Sequence, residues 1–71
     1  MKYVITDHNK IAMGSGCYHR DLAKAISGNV KSAGEFKIVD GKVKVFGESF
    51  GYGMKAKEED AKEIELYLGI K

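Results

Sequence analysis

Residues 35–46 have the sequence Glu-Phe-Lys-Ile-Val-Asp-Gly-Lys-Val-Lys-Val-Phe, in which two runs of β-forming residues flank Asp-Gly. Asp-Gly in this position predicts a two-residue β-hairpin turn, because a type I′ turn needs positive φ at both central residues. The register that pairs Val39 with Lys42 places four apolar side chains on one face of the hairpin. These four residues are Phe36, Ile38, Val43 and Val45.

The segments outside this hairpin predict one further pair of strands and two helices. Residues 2–6 are rich in β-forming residues, and residues 10–14 can pair with them across a turn. Residues 57–68 predict a helix with acids in its first turn, where the macrodipole favours them, and with Gly69 as its end. The sequence therefore predicts an α+β domain with the order β-β-α-β-β-α, in which a mixed sheet packs with two helices.

The first helix is expected between Ser15, whose hydroxyl can cap it, and Gly28, which can end it. Apolar residues at i, i+4 and i+8 form its expected buried stripe. They are Tyr18, Leu22 and Ile26. His19 is then expected near the edge of that stripe rather than in the core.

Length and composition predict one small domain. The chain has 71 residues, a formal net charge of +2 and a single cysteine. This charge is too small to indicate a nucleic-acid partner, and no apolar run approaches the roughly 20 residues of a membrane span. A single cysteine cannot form an internal disulfide, and we see no signal peptide at residues 1–7. We therefore expect a cytoplasmic domain that binds neither nucleic acid nor membrane.

Two features of the chain suggest chemistry. His19 lies at the expected helix start, where free N–H groups can bind an anion, and histidine exchanges protons near neutral pH. The glycine-rich residues 47–53 can turn their N–H groups inward around an anion, and Ser49 adds a hydroxyl donor. The alternatives are a surface histidine without a task and a tight connection that needs glycine only for its shape.

Other polar residues give weaker signals. Five cations could pair with a phosphate, although a solvated charged surface explains most of them equally well. These are Lys2, Arg20, Lys37, Lys44 and Lys55. Cys17 and His19 point to different helix faces, which disfavours a thiolate pair, and His8, Cys17 and His19 have no recognised metal spacing.

Three blocks of the chain resemble the Janus/Ocnus family of protein histidine phosphatase-like proteins. Residues 2–5, Lys-Tyr-Val-Ile, are similar to the first strand of that family. Residues 18–22, Tyr-His-Arg-Asp-Leu, with Ser-Gly at 27–28, resemble its Tyr-His-x-Asp helix. Residues 44–53, Lys-Val-Phe-Gly-Glu-Ser-Phe-Gly-Tyr-Gly, resemble its Gly-x-Ser-x-x-Tyr-Gly loop. The blocks occur in the same order as in the family, and the resemblance covers most of the chain.

The resemblance implies a metal-independent phosphatase without a cofactor. By position, His19 would be the general base that activates water against a phosphoramidate phosphorus. The phosphate would be held by side chains and backbone N–H groups of five residues. They are Lys2, Arg20, Ser49, Phe50 and Gly51. The family's last strand has no counterpart here, so an open sheet edge could pair two copies.

The expected function is hydrolysis of phosphohistidine in proteins or peptides, by a monomer or weak homodimer. One alternative is a binding module that recognises a phosphorylated or acidic partner without turnover, which Arg20 and Glu48 favour. Another alternative is a small interaction protein whose edge strands pair with a partner.

Overall fold

The computed structural model of the chain describes residues 1–16, 18–49 and 51–70. The α+β class and the order β-β-α-β-β-α are confirmed, with one additional small hairpin before the second helix. The elements are β1 (Lys2–Thr6), β2 (Ile11–Gly14), α1 (His19–Lys24), β3 (Val30–Val39), β4 (Lys42–Phe46), β5 (Glu48–Ser49), β6 (Met54–Lys55) and α2 (Glu58–Leu68).

The main sheet has the strand order β2-β1-β3-β4 and is antiparallel at each of these pairings, so the prediction of a mixed sheet is wrong. The reason is the path of the chain through α1. β2 ends at Gly14 beside Lys2, whereas β3 begins at Val30 beside Thr6. The segment that contains α1 therefore runs the length of the sheet, and β3 enters beside β1 in the opposite direction.

The predicted hairpin register is confirmed, since Val39 pairs with Lys42 across the turn. Asp40 and Gly41 have φ values of 52° and 76°, as a type I′ turn requires. Of the four apolar residues assigned to one face, Ile38 is 52% exposed, so burial on this face ends before the turn. Gly69, with φ 76°, ends α2 as predicted.

The two helices pack on opposite faces of the sheet. Ile64 of α2 joins a buried cluster of side chains from β1, β3 and β4, which alternate with those of the other face. This cluster contains Tyr3, Ile5, Phe36 and Val43. The opposite face carries the buried side chains of Val4 and Ala33, which are small and leave room for α1 against the strands.

A buried carboxylate joins α2 to the sheet. Asp60 accepts hydrogen bonds through Oδ2 from the hydroxyls of Tyr3 (2.5 Å) and Ser32 and from the backbone N–H of Lys57 (3.1 Å). Burial, together with the hydrogen bond and the charge of Asp60, raises the pKa of Tyr3 well above its usual range. The sequence predicts Asp60 only as one of three acids in a first turn, and it does not predict its burial.

Helix α2 also covers part of the free edge of β4. The backbone N–H of Val43 points out of the sheet and donates to Oε2 of Glu65 at 3.0 Å. This contact occupies one backbone donor on the outer edge of β4. In the part of the chain that the structure describes, neither helix is both long enough and apolar enough to span a membrane.

Candidate functional site

A cleft of about 790 Å³ opens at the end of the sheet where β1 begins. Five of the residues predicted for the site line it, namely Lys2, His19, Arg20, Ser49 and Gly51. Phe50, the sixth, lies outside the described residues. Four other residues complete the lining, namely Tyr18, Glu35, Glu48 and Tyr52.

Strand pairing explains why Lys2 faces α1. Lys2 is the first residue of β1 and lies opposite Gly14 of β2 and Glu35 of β3. Directly opposed residues place their side chains on the same face of a sheet, and Gly14 has none. The side chain of Lys2 therefore has free space on the β2 side, over which the chain continues into α1.

His19 is the first residue of α1 and is buried, with 8% of its surface exposed. Its Nε2 lies 2.8 Å from the carbonyl oxygen of Gly34. A carbonyl can only accept, so Nε2 carries a hydrogen and donates it. In the neutral ring the lone pair then resides on Nδ1, which makes Nδ1 the atom that can take a proton.

The predicted buried face of the first helix is wrong at the N-terminal end of the helix. Tyr18, assigned to the buried stripe, is 66% exposed, whereas His19, assigned to its edge, is buried. The cause is the helix boundary. Tyr18 is the N-cap residue in an extended conformation, and its backbone N–H donates to Asp21 at 3.3 Å, so the helical periodicity begins one residue later.

The same boundary excludes Ser15 as the cap. The prediction that Gly28 ends the helix is also wrong, because α1 ends at Lys24 with Ala25 as its C-cap and is only six residues long. A helix this short has a weak macrodipole, so charged side chains must supply most of the attraction for an anion. Two such side chains are present in the cleft, those of Lys2 and Arg20.

Tyr18 holds these two cations at the mouth of the cleft. Nζ of Lys2 lies 5.5 Å and Cζ of Arg20 lies 5.4 Å from the centroid of its ring. Both distances are within the range of a cation–π contact. The exposed ring therefore positions two positive charges that are 18 residues apart in the sequence, whereas Lys37, Lys44 and Lys55 do not line the cleft.

Two of the residues that shape this site are not predicted by the sequence. Glu35 enters the cleft only because β3 pairs with β1, which sets it opposite Lys2. Gly34 enters because its carbonyl lies next to the ring of His19. Neither residue has a local motif that could have predicted its place, since both places depend on pairing between distant segments.

Gly34 has no room for a side chain. A Cβ at this position would lie 2.7 Å from Cβ and 3.1 Å from Cα of Ala56, close to the start of α2. Gly34→Ala is therefore expected to cost about 1–3 kcal/mol of unfolding free energy by overpacking. It should also displace the carbonyl that orients the ring of His19. Thermal denaturation of the variant beside the wild type measures the loss of stability.

Gly51→Ala is the matched control, since a Cβ at Gly51 meets no atom within 4 Å. Its melting temperature should stay within about 2 °C of the wild type, in keeping with the small effect of most surface substitutions. An equal loss of stability in both variants would contradict the close contact between Gly34 and Ala56.

The described residues contain no group of three or more histidine, cysteine, aspartate or glutamate side chains that could hold a metal ion. Cys17, named in the thiolate and metal alternatives, lies outside the described residues. His8 lies in the turn after β1, where it is exposed beside Asp7, and it does not line the cleft.

Comparison of the chain with protein families, with curated proteins and with solved structures gives no match in any of the three. The geometry of the cleft and the chemistry of its side chains are therefore the basis for assigning a function.

Proposed function

We propose that this protein is a metal-independent phosphatase that hydrolyses phosphoramidates such as phosphohistidine in proteins or peptides. One observation carries the proposal: a proton acceptor and two cations share one cleft. The acceptor is Nδ1 of His19, whose ring is fixed through Nε2, and the cations are Lys2 and Arg20. The resemblance to the Janus/Ocnus family agrees with this chemistry.

In the proposed reaction, His19 removes a proton from a water molecule as the water oxygen attacks phosphorus. The hydrogen bond from Nε2 to Gly34 keeps Nδ1 free for this proton and stabilises the imidazolium that forms. The P–N bond breaks with its electron pair going to nitrogen, and the proton is then passed to that nitrogen. The products are inorganic phosphate and the unmodified side chain.

The phosphoryl oxygens would be held by two cations and a hydroxyl of the cleft. Lys2 and Arg20 lie beside the ring of Tyr18, and Ser49, which belongs to β5, also lines the cleft. Fixed positive charges and donors lower the barrier when they stabilise charge that develops in the transition state. Gly51, which also lines the cleft, leaves the backbone accessible because it carries no side chain.

The test is release of inorganic phosphate from a phosphohistidine peptide in the presence of a chelator. We expect release above the uncatalysed rate, at a rate that the chelator leaves unchanged, because His19 and the cations perform the reaction without a metal. A matched reaction without protein measures the background. Release that disappears with the chelator would contradict a metal-independent mechanism.

A non-catalytic binding module is the second candidate, and the charge of the cleft favours it. Glu35 and Glu48 line the same cleft as the two cations, and their negative charge would oppose the charge that develops on the phosphoryl oxygens during catalysis. Saturable binding of a phosphopeptide in calorimetry, with no phosphate released, would support this candidate over the enzyme.

A further inference from the structure

The cleft contains four charged side chains that do not neutralise one another. Lys2 and Arg20 are positive, and Glu35 and Glu48 are negative. In residues 1–16, 18–49 and 51–70 the structure has two ion pairs within 4.0 Å, between Asp7 and His8 and between Lys31 and Glu63. Neither pair belongs to the cleft, so none of its four charged side chains is engaged in an ion pair within 4.0 Å among the described residues.

The two signs are separated within the cleft. Both cations are held around the ring of Tyr18, next to α1. Glu35 is directly opposite Lys2 on the neighbouring strand, but its side chain extends toward Gly47, where Oε2 lies 3.1 Å from the position of a Cβ, and Glu48 is the next residue along the chain. A ligand that contacts both the cations and the carboxylates carries a negative group beside a positive one.

From this separation we propose that the preferred substrates are phosphoramidates whose nitrogen belongs to a cationic group, namely phosphoarginine or phospholysine, rather than phosphohistidine. This inference rests on the proposed phosphatase function and narrows its substrate. The phosphoryl group would contact Lys2 and Arg20, and the guanidinium or ammonium group would contact Glu35 and Glu48. Carboxylates form strong charge-assisted hydrogen bonds with such N–H donors, and arginine is suited to two at once.

The reaction is balanced for a phosphorylated guanidinium. The water oxygen forms the new P–O bond, and the electron pair of the broken P–N bond stays on nitrogen. One proton of the water remains on the phosphate, and the other moves through His19 to the nitrogen. The guanidinium leaves with the same positive charge that it had in the substrate, so its contacts with the carboxylates persist throughout the reaction.

The experiment compares three peptides of the same sequence that carry phosphoarginine, phospholysine or phosphohistidine, with phosphate release measured in chelator. The wild type should have a kcat/KM at least about tenfold higher for one or both cationic peptides, the scale of a hydrogen bond to a charged group. Glu48→Gln and Glu35→Gln should each lower, by about tenfold, the ratio of kcat/KM for the cationic peptides to kcat/KM for the phosphohistidine peptide. Glu59→Gln, at an exposed position of α2, is the charge-matched control.

Three outcomes separate this inference from the proposed function. Equal rates with all three peptides, or equal increases for all three in the glutamine variants, would overturn the inference and leave the phosphatase standing. No release from any peptide would contradict the phosphatase. In that case calorimetry with the same peptides decides: tighter binding of a cationic peptide that is lost in Glu48→Gln supports the inference for a binding site, and equal affinities overturn it.

Discussion

Replacement of His19 by alanine is expected to lower kcat for phosphate release by about 10²–10⁴-fold, the usual contribution of a general base. The physical reason is that the imidazole is the proton acceptor of the proposed mechanism. Its ring is held by a hydrogen bond to Gly34. The measurement is the rate of phosphate release from a phosphoramidate peptide under saturating conditions, with the background rate subtracted.

Two further variants make this result interpretable. His8→Ala removes the other histidine of the chain, which is exposed and outside the cleft, so it should retain full activity. His19→Gln keeps an amide donor for the carbonyl of Gly34 but cannot take a proton. We expect it to fold like the wild type and to be as inactive as His19→Ala. Substantial activity in a folded His19→Gln protein would show that another group accepts the proton.

Replacement of Asp60 by alanine is expected to lower the free energy of unfolding by about 3 kcal/mol or more. It leaves the buried hydroxyls of Tyr3 and Ser32 without their acceptor, and each unpaired buried donor costs about 1–3 kcal/mol. A domain of this size has a total stability of roughly 4–10 kcal/mol, so a large part of it would be lost. Thermal denaturation should show a decrease of at least about 12 °C in melting temperature.

The control is Glu59→Ala, which removes an acid from the same helical turn at an exposed position. It should cost only a few tenths of a kcal/mol through the helix macrodipole. Tyr3→Phe removes one donor and leaves Asp60 in place, so its loss should fall between the two. Equal losses for Glu59→Ala and Asp60→Ala would mean that the buried hydrogen bonds do not hold α2 to the sheet.

His19 and Asp60 have different roles, one at the cleft and one in the packing of the sheet. His19 faces the cleft, whereas Asp60 lies on the other side of the sheet and bonds to Tyr3. Tyr3 is directly opposite Gly34 in the pairing of β1 with β3. Asp60 is therefore a structural residue, and its replacement should change the position of the His19 ring only by moving Gly34.

The sequence was informative wherever a structure depends on neighbouring residues. Asp40 and Gly41 predict both the turn and the register of the β3–β4 hairpin, because the backbone conformation of a two-residue turn fixes which residues face each other. The same reasoning predicts the end of α2 at Gly69. The grouping of Lys2, His19 and Ser49 in one cleft agrees with the family resemblance, and their roles in chemistry stay predictions.

Local sequence by itself determined the order of the elements, the α+β class and the register of one hairpin. Only the tertiary structure decided that the sheet is antiparallel, that His19 rather than Tyr18 is buried, and that Glu35 faces Lys2. It also decided that Asp60 is buried against Tyr3, 57 positions away in the sequence. The physical reason is that burial and hydrogen bonding depend on which distant segments pack together. The residue pattern of one segment does not indicate which side chains will cover it.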